Sequence, residues 1–156
     1  MGGDSTDGRA LAAVAADGAP ADDPPEGFVA LRGTSGFLAN FGQLYVHPAR
    51  RAVGIRIGPQ HLNPLGIPHG GMLATLADTA IGMMMSLETG SKRPTAVTAN
   101  LSLDFFDSAR VGDWVEAHVS FDKLGNRLRF GSCRLLAGER CLLRATAIFS
   151  VLQPRT

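Results

Sequence analysis

The chain has 156 residues, 45% apolar and 19% charged, which excludes a disordered polar chain and fits one domain with a real core. Net charge is +1, but six of the 14 acids and only Arg9 among the 15 bases lie in residues 1–27. The remainder is therefore mildly basic and tolerates an anionic ligand. Bases are scattered, and one Trp and one Tyr supply few stacking platforms, so no nucleic-acid partner is expected.

Residues 1–25 are rich in Gly, Ala, Asp and Pro and read as a flexible acidic leader, so the domain is expected over 26–156. The apolar patch ALAAVAA follows two acids, where an export signal needs a basic start. MGGDST fits the loose myristoylation pattern at Gly2, which needs a eukaryotic host and is not counted as a site. Residues 26–42 suggest a short broken helix and a loop. QLYVHP and RAVGIRIG read as two strands joined at Pro48-Ala49-Arg50. GPQHLNPLGIPHGG, with three prolines, is a loop. GGMLATLADTAIGMMMSLE, from Gly70 to about Glu88, is one long helix rich in Ala, Leu and Met.

Four strands follow, with turns at 123–126 and Ala137-Gly138. In the first, Val97, Ala99, Leu101, Leu103 and Phe105 alternate with Thr98, Asn100, Ser102 and Asp104. A helix this apolar must be wrapped by the sheet, an α+β architecture. Cys133 and Cys141 flank the last hairpin and could sit opposite each other. Two small buried apolar residues in a reducing, cytoplasmic compartment are expected. No residue set suggests a metal. No internal repeat is present.

The stretch from Gly70 to Leu87 carries one charge, Asp78. Its length would cross a membrane, but its small and hydroxyl residues and central acid argue against a span. The helical neighbours of Asp78 are Gly71, Ala74, Thr75, Ile81, Gly82 and Met85, which do not make a solvated face. A carboxylate on such a surface is a candidate for function; the alternative is a structural acid paired with an Arg or backbone groups. At the helix start, Gly70 and Gly71 leave amides uncovered where the helix dipole is positive, so a ligand oxygen can approach. Gly70 and Asp78 are separated by about 12 Å of helix rise, whereas one reaction centre needs both within about 3 Å. If both act on one carbonyl, they must come from two chains.

HLNPLGIPHGGMLATLADTA, residues 61–80, resembles the signature of the hotdog-fold acyl-CoA thioesterases. The phenylacetate-degradation branch is nearest, with a further likeness to the 4-hydroxybenzoyl-CoA thioesterases. The resemblance runs from about residue 43 to the C-terminus and includes AVTANLSLDFFDSARVGD. It implies a five- or six-stranded antiparallel sheet around a central helix, homodimers with shared active sites, and dimers paired into tetramers.

It further implies that Gly70 N–H polarises a thioester carbonyl, with Gly71 beside it. Asn63 would bind the carbonyl or orient water, and His69 would support the loop and contact the thioester. Asp78 of the partner subunit would be general base or nucleophile, and Thr98 would help hold the water. Arg110, Lys92 and Arg93 are candidates for the coenzyme A phosphates, against a reading as ordinary surface charge. His61 is expected to be a surface or a loop-stabilising histidine, and His47 and His118 to be structural. Met83-Met84-Met85 and Phe105-Phe106 line a pocket or are plain core. Coenzyme A would be part of the substrate, and no separate cofactor is expected. The competing functions are a non-catalytic acyl-CoA binder and a dehydratase or hydratase on the same fold.

Overall fold

The computed structural model describes residues 24–91 and 95–153. The leader up to residue 23, the Gly2 pattern, Lys92 and Arg93 lie outside the described residues. The chain order is β1 (Val29–Ala30), β2 (Leu44–His47), β3 (Ala52–Arg56), α1 (Gly70–Glu88), β4 (Ala96–Phe105), β5 (Trp114–Leu124), β6 (Leu128–Ala137) and β7 (Arg140–Val151). Three short 3-10 turns, Gly36–Asn40, Pro48–Arg50 and Pro59–His61, punctuate the first half.

The strands form one antiparallel sheet in the order β1-β2-β3-β5-β6-β7-β4. Its inner face packs on α1, the expected hotdog arrangement. The sheet has seven strands rather than five or six, because β1 adds two residues opposite Val46 and Tyr45. The broken helix expected in residues 26–42 is thus a strand followed by a 3-10 turn. Val29 and Ala30 owe their extended form to pairing with β2 rather than to local propensity.

Helix α1 places Met72, Leu73, Leu76, Ala77, Ala80, Ile81, Met84 and Met85 on the sheet. Burying a Leu such as Leu76 contributes roughly 1.5–3 kcal/mol, so this stripe holds the helix in place. The membrane-length helix is therefore the core helix of this fold. Gly131 on β6 lets it approach: a Cβ there would lie 3.2 Å from Ile81 and Met85 side-chain carbons. Gly90, with φ of 68°, ends the helix.

The two cysteines are not opposite each other. Cys133 pairs with Ala145, whereas Cys141 pairs with Leu136, because the hairpin turns between Ala137 and Arg140, beyond the turn centre at Ala137 that would have paired the two. Both are free thiols; Cys133 is buried, and that burial pushes its thiol up to about 12. Cys141 is only half-buried.

Candidate active site

The loop of residues 58–69 is tied down before the helix starts. His61 is buried; its Nδ1 accepts from Gly58 N–H at 2.9 Å, so its Nε2–H donates to Phe41 O at 2.7 Å. Of the surface and loop-stabilising readings, the buried ring takes the second. Its carbonyl accepts from His69 N–H, which sets the helix entry. His47 stacks edge-on against Phe28, and His118 bonds to Glu116 at 2.7 Å, both structural as expected.

Asn63 closes the tip of the loop. Its Oδ1 accepts from Leu65 N–H at 2.9 Å and from Ile67 N–H at 3.4 Å. The oxygen is thereby committed, and the Nδ2 amide is the part left to meet a ligand. A ligand at Asn63 must present an acceptor, such as a carbonyl oxygen.

His69 is the N-cap of α1, and its Nδ1 accepts from Gly71 N–H at 2.9 Å. That corrects the place of Gly71 as a ligand donor: its amide is taken, and it contributes a bare backbone surface. Among the described residues the Gly70 N–H donates to no protein group. A Cβ at Gly70 would lie 3.5 Å from the ring of Phe105, so that ring shields one side of the helix start.

Two turns along the helix, Asp78 is half-buried, and Thr98 Oγ1 donates to its Oδ1 at 2.6 Å. The simple alternation read from β4 does not place Thr98 there. Thr98 pairs with buried Phe149, Asn100 with Ile148, and Leu101 with buried Ala147. One extra residue, Ala99, bulges between them. The bulge reverses the parity of the strand: Val97 is turned to the outer face, and Thr98 shares the inner face with Leu101, Leu103 and Phe105. A bulge beside a functional group commonly re-aims a side chain in this way.

The helix is unbroken from Gly70 to Glu88. Within one chain the free amide and the carboxylate therefore stay about 12 Å apart. β4 is one edge of the sheet, ten residues long, largely exposed, and without Lys or Pro. Such an edge is a template for pairing with another strand.

Arg110 stands apart from this group. Its backbone N–H donates to Asp113, its side chain is exposed, and it does not line the cavity at the helix start. Within the same loop, Ser108 N–H and then the Arg140 guanidinium hold the Asp107 carboxyl below its usual range. Met84 and Met85 are core residues, Met83 lines a separate apolar cavity with Val46 and Leu87, and Phe106 lies under the Arg144 guanidinium. An apolar cavity does adjoin the site, but it is walled by Phe37 and Phe41 instead. Neither was singled out from the sequence. Among the described residues no cluster of His, Cys, Asp and Glu could hold a metal ion.

A model of the thioesterase superfamily matches residues 65–142. The chain is 43% identical over 128 residues to a Pseudomonas aeruginosa protein named "Putative esterase", covering 80% of this chain and 95% of that one. It is 31% identical over 99 residues to an acyl-coenzyme A thioesterase of Xenopus laevis. That match covers 62% of this chain but only 43% of that protein's length. A Bacillus halodurans protein solved with CoA superposes with a TM-score of 0.59 at 30% identity, covering 67% of this chain and 68% of that one.

Proposed function

The chain belongs to the thioesterase superfamily, and on that premise we propose that it hydrolyses acyl-CoA thioesters of aromatic or medium-chain acids. One observation carries the reading: the Asp78–Thr98 pair stands on the same helix as a Gly70 amide that has no partner among the described residues. A binder of neutral acyl groups has no need of a carboxylate there.

In this account two chains pair through β4. Asp78 of the partner subunit then meets the Gly70 and Asn63 of the first. The thioester carbonyl accepts from Gly70 N–H and Asn63 Nδ2. Water, held by Asp78 and Thr98 of the partner subunit, loses a proton to the carboxylate while its oxygen attacks the carbonyl carbon. The tetrahedral oxyanion rests on the two donors and the helix dipole. Its collapse breaks the C–S bond, and the leaving sulfur takes the proton from Asp78. The products are the free acid and the coenzyme A thiol. His69 positions the helix start by capping Gly71. Pairing of two such dimers completes the proposed assembly.

The test is thiol release from phenylacetyl-, hydroxybenzoyl-, short-, medium- and long-chain acyl-CoA. Turnover of an aromatic or medium-chain ester is the expected result. Binding of these esters without turnover of any would replace hydrolysis by a non-catalytic acyl-CoA role.

A further inference from the structure

A cavity of about 340 Å³ lies beside the helix start and opens to solvent. Phe37, Phe41, Leu62 and Met72 form its apolar wall, and His69 and Gly71 form the rim next to Gly70. Asn40, Gln60 and Thr75 add polar groups to its lining, and no Lys, Arg, Asp or Glu lines it. Phe37 is 72% exposed, held only at the tip of the 3-10 turn Gly36–Asn40, with its ring centroid 6.4 Å from that of Phe41. This turn lies outside the residues matched by the family model.

A carbonyl bound at Gly70 has two substituents, and only one can enter this cavity. The sulfur side leads to an arm with amides and phosphates. A wall without a cationic side chain does not suit it. The acyl side is apolar and does. We propose that this cavity receives the acyl group and that Phe37 sets the preference for its size and shape, an inference that rests on the thioesterase reading. A cavity of about 150 Å³ already takes a benzene ring. The present one therefore fits one aromatic ring on a short arm, or a medium alkyl chain, but not a long one. An aromatic acyl group would meet Phe37 edge to face, an arrangement worth a few-fold in affinity.

The experiment uses two non-hydrolysable thioether ketones, phenacyl-CoA and acetonyl-CoA, beside hydrolysis of phenylacetyl-CoA and acetyl-CoA. The full chain is compared with Phe37→Ala and Phe37→Tyr, both at an exposed position that leaves the core intact. The wild-type preference for phenacyl- over acetonyl-CoA is expected to fall about fivefold in Phe37→Ala and to return in Phe37→Tyr, with thermal stability unchanged. Equal ratios in all three proteins overturn the inference, and hydrolysis alongside them leaves the thioesterase reading standing. A shifted ratio without hydrolysis keeps the cavity as the acyl site and overturns the hydrolytic reading. Failure of both ketones to bind overturns the inference, and absence of hydrolysis alongside it overturns the thioesterase reading as well.

Discussion

Asp78→Asn is expected to lower kcat by on the order of a hundredfold or more, the size of effect a positioned general base contributes. The change is nearly isosteric, and an amide oxygen can still accept from Thr98 Oγ1, so the 2.6 Å contact and the fold should survive. What disappears is the ability to take a proton from water. KM should change much less, because in the proposed mechanism the carboxylate acts on water rather than on the acyl or coenzyme part. Circular dichroism and the melting temperature check folding, and thiol release checks turnover. Equal rates for the two proteins would remove Asp78 from the chemistry.

Leu101→Pro is expected to cost as much activity by a different route. Phe106 N–H donates to Leu142 O, and Leu152 N–H to Thr95 O, which fixes the hydrogen-bond phase of β4 against β7. By the two-residue alternation of antiparallel ladders, the N–H groups of Asn100, Ser102 and Asp104 then face β7, and those of Leu101 and Leu103 face the open edge. Proline at 101 removes an outward donor and leaves the β4–β7 ladder in place. The expected result is a folded chain that elutes as a monomer in size-exclusion chromatography and has lost on the order of a hundredfold in kcat/KM, since the base is no longer delivered. A monomer with undiminished activity would show that one chain suffices.

Much of this was legible in the residues, and what was not has identifiable causes. The uninterrupted run of Ala, Leu and Met with glycines at each end marked α1 to within a residue. Alternation in WVEAHVSF marked β5, whose Val115, Ala117 and Val119 are buried. β1 was hidden because two residues carry no period, and only their tertiary partner makes them a strand. The bulge at Ala99 was hidden for the opposite reason. Val97 and Ala99 continue the apolar alternation of Leu101 and Leu103, so the pattern runs on smoothly past the point where the backbone changes phase. Thr98 was named through family likeness, and the bulge supplies the physical reason it reaches Asp78.

The loop chemistry was only half visible. Asn63, His69 and the two glycines announced a site at the helix start, but not how hydrogen bonds divide among them. With the Asn63 oxygen committed to Leu65 and Ile67, and Gly71 N–H committed to His69, the donors of this group without a partner among the described residues are Asn63 Nδ2 and Gly70 N–H. In the proposed mechanism these are the two donors that meet the thioester oxygen, which is a narrower expectation than a glycine-rich turn allows. Phe37 does not stand out in the sequence because GFLANF is too short a stretch to show which of its apolar residues face a site. Its place beside His69 and Gly71 is set by the way the 3-10 turn folds back on the loop.

In the proposed dimer each site takes its donors from one chain and its carboxylate from the other. The most direct measurement mixes two inactive variants, Asp78→Asn and Asn63→Asp, by co-refolding. Asn63→Asp keeps the oxygen that accepts from Leu65 and Ile67 and replaces the amide donor by a repelling carboxylate oxygen. In a mixed two-fold dimer one site carries both changes and the other carries neither, so random mixing should restore about one quarter of wild-type turnover. Activity no higher than the average of the two parents, in a mixture shown to contain the mixed dimer, would place donors and base in the same chain and contradict the account.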